Sequence, residues 1–406
     1  MKNITVFNNI SWKFLKGFLQ FLSMIIIVRS LPISDYGWYV AAISAFELVV
    51  IFCLPGVVRI ALRSSLSENS RFEHLFGLRV LLLPVLLFGF VFIPEGKAVF
   101  ILLATASDQI SMFARVKLNQ HRQYLIYNAL ESLKPFTVII AVIFYTVLRD
   151  KDLSLDYLIQ AYCYLSVANM FLNIWYAKKY ASFTLKILKP SKTDFTESVY
   201  SSGNGLIGTC MRRGMVLVAA YSFSTTDAAY VNIALQFLTI FTMLYSGMSL
   251  SLTRDIYDVS LSINKIAGGY FRPLLLLIVS IISGSLLLYF FGELVLVTIL
   301  GETAIGAAAI VFLTPLILLL QLPQLLLMGV FMRFKQESLI LGLNIFSIVT
   351  FIPITFLLAT SVNNLMLITL NFALFTSLVY LIAFRRFRVK NKYAEFQSEK
   401  DLSENQ

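Results

Sequence analysis

Along almost the whole chain, apolar runs of bilayer-crossing length alternate with short polar or basic breaks. An α-helix rises about 1.5 Å per residue, so roughly 20 apolar residues cover a hydrocarbon core about 30 Å thick. Twelve runs approach that length, and the pattern predicts a helix over each: 12–31, 37–57, 77–94, 98–114, 125–147, 155–177, 197–222, 228–252, 273–292, 304–331, 338–360 and 364–384. The fourth and eighth are the least apolar, interrupted by Asp108 and Gln109 in one and by Asn232 and Gln236 in the other. The first run carries no small-residue cleavage site and reads as a retained helix, not a removable leader.

Composition agrees with that pattern. Of 406 residues, 58% are apolar and 14% charged, and mean hydropathy is +0.80. A water-soluble domain of this size could not cover so much apolar surface with so few polar groups. The chain reads as an all-α, polytopic membrane protein. Its net charge of +11 would by itself fit a nucleic-acid partner, but the basic residues gather in the breaks between runs, the distribution that orients membrane proteins. With Lys13, Lys16 and Arg79 taken as helix ends, the termini and alternate loops hold 26 of the 33 basic residues. The opposite loops hold Lys97, Arg149 and Lys151, so both termini are expected in the cytoplasm. None of those opposite loops is long enough to fold into a domain, the longest running from Gly292 to Thr303. Cys53, Cys163 and Cys210 lie inside apolar runs and read as small buried hydrophobes. His74 and His121 stand far apart in basic breaks, so no metal-ligand spacing exists and nothing calls for a cofactor.

A repeat divides the chain near its middle. Tyr39-Val40, Phe46, Gly56 and Arg63 recur 191 residues later as Tyr230-Val231, Phe237, Gly247 and Arg254. Each half then holds six runs, and an even number per half implies parallel repeats about an axis along the membrane normal. The expected architecture is twelve transmembrane helices in two six-helix bundles, 1–177 and 197–384. A basic linker, 178–196, joins them, and a basic, then polar and mobile tail, 385–406, follows.

Four basic residues, Arg29, Lys134, Arg212 and Arg213, lie deeper in the runs. The stretch "GTCMRRGMVLV", Gly208 to Val218, is the most demanding. An arginine at a helix centre costs roughly 2.5–3.5 kcal/mol on insertion scales, so two in succession require a partner or a function. Ser201, Asn204, Gly205, Gly208 and Arg212 recur at threes and fours on one helix face, with Arg213 about 100° away beside Thr209. Asn232, Gln236, Thr239 and Ser246 stripe the following run, Lys13, Lys16 and Arg29 mark the first, and Glu47 sits within the second. A cleft among these four helices would suit an anion, because guanidinium groups match phosphate oxygens. Plainer roles compete. Lys13, Lys16 and Arg29 can snorkel, and Glu47 can neutralise Arg212 or Arg213. Glu131 and Lys134, three residues apart, are placed to pair with each other, while Asp108 can pair across helices or carry a proton. Pro55, Pro84, Pro135, Pro315, Pro323 and Pro353 mark expected kinks.

The stretch "RSLPISDYGWYV" (Arg29 to Val40), followed by a helix ending "GVVRIALRS" (Gly56 to Ser64), resembles the opening of the Wzx-type O-antigen and polysaccharide flippases. These belong to the multidrug/oligosaccharidyl-lipid/polysaccharide superfamily. Asp35, Tyr36, Gly37 and Tyr39 match the family's Asp-Tyr-Gly-x-Tyr motif, and length, run count and repeat agree over essentially the whole chain. The resemblance implies a non-enzymatic flippase of a bacterial inner membrane that moves undecaprenyl-pyrophosphate-linked repeat units by alternating access. Pyrophosphate and sugars would cross a cationic cavity between the lobes while the polyprenyl tail stays in lipid. It implies Arg212, Arg213, Arg29 and Lys16 as the cationic contacts, Asn204 and Gln236 as donors to sugar hydroxyls, and Glu47 or Asp108 as sites of ion coupling or charge pairing. Its implied partners are the lipid-linked oligosaccharide, the bilayer, a polysaccharide polymerase and a chain-length regulator.

Three other readings fit less well. Drug exporters of the same superfamily typically carry acids in the first helix and in the second lobe's core. Here run 12–31 has none, and the seventh and eighth runs have none at depth. O-antigen polymerases hold catalytic arginines on a sizeable outer loop, for which this chain has no room. A peptidoglycan-precursor flippase would usually be longer, with more spans.

Overall fold

A computed structural model describes residues 2–54, 56–63, 69–148, 153–257, 263–334 and 336–404, and among these it is helical almost throughout, with no strand. The described residues of the apolar runs are helical over most of their length. Helix α1 (Lys2–Ser30) covers the first. The second is broken: α2 (Ile33–Val49) tightens into a 3₁₀ turn (Val50–Cys53), the helix is interrupted at Leu54 with φ 53°, and α3 (Gly56–Arg63) follows. Pro55, the expected source of that kink, lies outside the described residues. The third run is interrupted as well, where α4 (Asn69–Leu82) gives way to a 3₁₀ segment (Leu83–Phe88) with Pro84 at its start, then α5 (Gly89–Phe92). Pro135 lies inside an unbroken helix, as do Pro323 and Pro353.

The next helices are α6 (Ala98–Gln120), α7 (Tyr124–Leu148) and α8 (Leu155–Ala181). Ser182 (φ 50°) ends α8, and after an irregular stretch Ser191 starts α9 (Lys192–Thr209), its hydroxyl accepting from the Asp194 amide at 3.0 Å. A π-helical turn (Cys210–Gly214) joins α9 to α10 (Met215–Ser222). Then come α11 (Thr225–Tyr257), α12 (Ile263–Leu300), a 3₁₀ turn (Glu302–Ala307), α13 (Ala308–Val311), α14 (Leu313–Arg333), α15 (Glu337–Leu358) and α16 (Val362–Glu404). The polar tail expected after residue 384 is therefore a continuation of α16, in keeping with the helix-forming Lys, Arg, Glu and Ala it contains.

Eight helical segments among the described residues are long and apolar enough to cross a membrane: Ile33–Cys53, Arg71–Phe92, Ala98–Gln120, Tyr124–Val147, Leu274–Leu300, Glu302–Phe331, Glu337–Leu358 and Val362–Phe387. The other apolar runs lie in α1, α8, α9–α10 and α11, and each of these brings polar side chains to the cavity described below. The outer surface is apolar: Leu357 is 80% exposed, Val91 74% and Phe290 71%. Aliphatic and aromatic groups so placed face lipid, and the chain is a multi-pass membrane protein.

Inside, α6 packs on α8, α1 on α7, α14 on α16 and α9 on α15. Helix α2 packs against α11 near its own start, where a Cβ on Gly37 would stand 1.7 Å from the Thr225 carbonyl oxygen. Only glycine permits that approach. Past the break, α3 meets α9 as closely: a Cβ on Gly56 would lie 2.3 Å from the Ser198 carbonyl oxygen, and the Gly56 amide donates to Ser202 Oγ at 2.9 Å. Arg71 of α4 adds ion pairs to Asp194 (3.1 Å) and Glu197 (2.5 Å) of α9. Two of the motif residues, Gly37 and Tyr36, thus serve the contact between α2 and α11.

Candidate functional site

A cavity of about 520 Å³ lies beside α2, walled by α1, α2, α6, α7, α8, the end of α9, the π turn and α11. Helical spacing builds each wall. Lys16, Gln20, Ser23 and Ile27 form one face of α1, and Tyr36, Tyr39, Val40, Ile43 and Glu47 one face of α2. Asn232, Gln236 and Thr239, the polar stripe of α11, complete the opposite side, with Asn232 donating to the Tyr36 hydroxyl at 2.7 Å.

Five cations and three carboxylates line this space: Lys16, Arg115, Lys134, Arg212 and Arg213 against Glu47, Asp108 and Glu131. Each carboxylate is paired. Lys16 reaches Glu131 at 2.7 Å, Lys134 pairs with Asp108, and Arg213 Nε donates to Glu47 Oε2 at 2.5 Å. Glu131 and Lys134 thus do not pair with each other: each faces a different helix, and an inter-helix partner within reach displaces the local one. Lys134 also stands 3.9 Å over the ring of Tyr162, which meets Tyr39 edge-on at 5.9 Å. Arg115 and Arg212 have no carboxylate partner among the described residues, and Arg212 Nε donates only to the Gly208 carbonyl of its own helix at 3.2 Å. The described residues of the lining therefore carry an excess of two positive charges.

Both arginines belong to the π turn Cys210–Gly214, and Thr209, Arg212 and Arg213, three and four residues apart, all line the cavity. One of the pair is neutralised across the cavity and the other is left open.

Of the residues singled out from sequence, Arg212, Arg213, Lys16, Gln236, Glu47 and Asp108 line the cavity. The side chain of Asn204 lies outside the described residues. Arg29 is elsewhere: it points out of the cavity and donates to the carbonyls of Ile299 (2.8 Å) and Thr298 (2.6 Å), capping the C-terminal end of α12. Arg79, read as a helix end at the interface, is 2% exposed and donates to the Cys53 carbonyl and to Gln109 Oε1, tying the broken end of α2 to α6. Sequence reasoning passed over Arg115, Tyr36, Tyr39, Tyr162, Gln20 and Gln109. The signal for the α2 pair was available, since counting back from Glu47 by helical turns reaches Ile43, Val40, Tyr39 and Tyr36.

No protein-family profile and no curated protein matches this chain. Solved structures do. An inward-facing multidrug resistance MATE family transporter of the MOP superfamily superposes with a TM-score of 0.63, at 12% identity over 93% of this chain and 95% of that one. The lipid II flippase MurJ in an inward closed conformation gives 0.64, at 13% identity over 92% of this chain and 86% of that one. The Vibrio cholerae MATE transporter VcmN in its bent form gives 0.53, at 12% identity over 96% and 98%. The chain has the fold shared by these transporters.

Proposed function

We propose that this chain is a flippase for polyprenyl-pyrophosphate-linked oligosaccharide, carrying repeat units from the cytoplasmic to the periplasmic leaflet of a bacterial inner membrane. The observation that carries the reading is the cavity's positive excess, centred on Arg115 and Arg212, neither of which has an acid partner among the described residues. A guanidinium free of an acid partner offers its planar fork to phosphate oxygens. Gln236 and the Tyr36–Asn232 pair on the same walls offer hydrogen bonds to sugar hydroxyls. One of the structures of the same fold is a flippase for a lipid-linked substrate, lipid II.

In this reading the twelve helices form two six-helix lobes, 1–177 and 197–384, with both termini cytoplasmic, and the cavity lies between them. Alternating access opens it to one leaflet at a time. Glu47 and Asp108 hold Arg213 and Lys134 in charge pairs, and a proton or metal cation arriving at either carboxylate would release its partner toward the substrate. A multidrug exporter, the activity of other proteins with this fold, would need a cavity attractive to organic cations. Here the carboxylates are already taken by lysine and arginine.

The test is a strain lacking the gene, scored for surface polysaccharide and for the pool of lipid-linked repeat units. Units should accumulate while the surface carries none, and the chain carrying Arg212→Ala should fail to restore it. Single unpolymerised units still reaching the surface would mean that they cross without this protein.

A further inference from the structure

A second cavity, of about 340 Å³, opens on the other side of the π turn between α10, α11, α14 and α16. Its walls are largely apolar, with Met211, Met215, Leu238 and Leu318 among them. Two of its polar side chains are turned to the wall: Gln321 Nε2 donates to Met211 Sδ and Thr369 Oγ1 to Met215 Sδ, each at 2.7 Å. Arg212 and Leu235 line both cavities, so the unpaired guanidinium stands where the charged chamber meets the apolar one. Gly208, one turn before it, lines the apolar side, and a Cβ there would meet nothing within 4 Å.

We propose that this second cavity receives the apolar segment attached directly to the substrate's phosphate, the first isoprenoid units of its chain. The proposal rests on the flippase reading and departs from the expectation that the whole tail stays in lipid. An anion without an apolar substituent would leave the second chamber unused. A ligand whose charge sits at Arg212 and whose chain begins at that charge fills both. Ligand pockets of this size are typically lined by apolar side chains, with a few placed polar groups that fix the ligand's orientation.

The experiment compares farnesyl pyrophosphate with inorganic pyrophosphate on the purified full chain in lipid nanodiscs. Wild type should bind the farnesyl compound at least tenfold more tightly. Leu325→Trp, which fills the apolar chamber from α14 and lies outside the charged cavity, should abolish that preference and leave inorganic pyrophosphate affinity unchanged. If the preference survives in Leu325→Trp, the chain lies elsewhere and the proposal is overturned while the anion site stands. If neither probe binds wild type, the flippase reading itself fails. A second measurement needs no variant: a farnesyl pyrophosphate with a diazirine on its first isoprenoid unit should label Met211 to Met215 or the α14 segment around Gln321. Labelling of lipid-facing Phe14 or Phe18 on α1 instead would overturn the proposal.

Discussion

Arg212 and Arg213 are neighbours with different electrostatic duties, and substitution should separate them. Arg212→Ala removes a cation that has no carboxylate to leave behind, so substrate flipping should fall at least tenfold with thermal stability unchanged. Arg212→Lys keeps the charge but loses the planar fork and should recover only part of the activity, measured as export of repeat units. Arg213 behaves otherwise. Arg213→Ala strands Glu47 and Glu47→Ala strands Arg213, so each single change should destabilise the protein, whereas the double change should cost less than their sum. The two side chains are 27% and 40% exposed to the cavity, so the coupling in a double-mutant cycle should be about 1 kcal/mol, near the value for surface pairs. The sequence marks both arginines as anomalous by their depth alone. It does not say which is neutralised, because Glu47 lies 166 positions away and only the packing of α2 on the π turn brings it to Arg213.

Among the elements, glycines divide by what surrounds them. Gly37→Ala would push a methyl into the Thr225 carbonyl, a backbone atom that cannot rotate away, and should destabilise the contact of α2 with α11 by about 1–3 kcal/mol. Gly205→Ala, at a helical position where a Cβ meets nothing within 4 Å, should be neutral or slightly stabilising. Melting temperatures of the two purified variants check the contrast. Apolar periodicity makes the helices legible, and Asn232, Gln236 and Thr239 of the α11 stripe share one cavity wall because their period is local, while the side chain of Ser246 lies outside the described residues. The break after α2 is marked in the sequence by Pro55, and Arg79 adds a tertiary contact there. Two features leave no such mark. The π turn has ordinary helical residues on both sides. The ion pairs Lys16–Glu131 and Lys134–Asp108 join helices whose relative rotation no single sequence fixes.

At the scale of the molecule, composition and run length are enough to place the chain in a membrane, and the "DYGWY" stretch points toward a superfamily whose fold the structure shares. Cargo is not read at this scale, because the same fold serves a multidrug transporter and a lipid II flippase. The cavity's two surplus positive charges have an electrical consequence. In the proposed flippase cycle, a carrier loaded with an anion of matching charge would cross as a neutral body, but the empty carrier would have to swing its cations back through the transmembrane voltage. Each elementary charge moved across the full field is worth about 2.3 kcal/mol per 100 mV, an upper limit for groups that travel part of the way. On that proposal a voltage negative on the cytoplasmic side would draw the empty cavity back to face its supply and so reset the cycle. In proteoliposomes with an imposed potassium diffusion potential, turnover should rise at that polarity and fall when it is reversed. Arg212→Gln, which leaves one surplus charge, should halve whatever voltage dependence remains measurable.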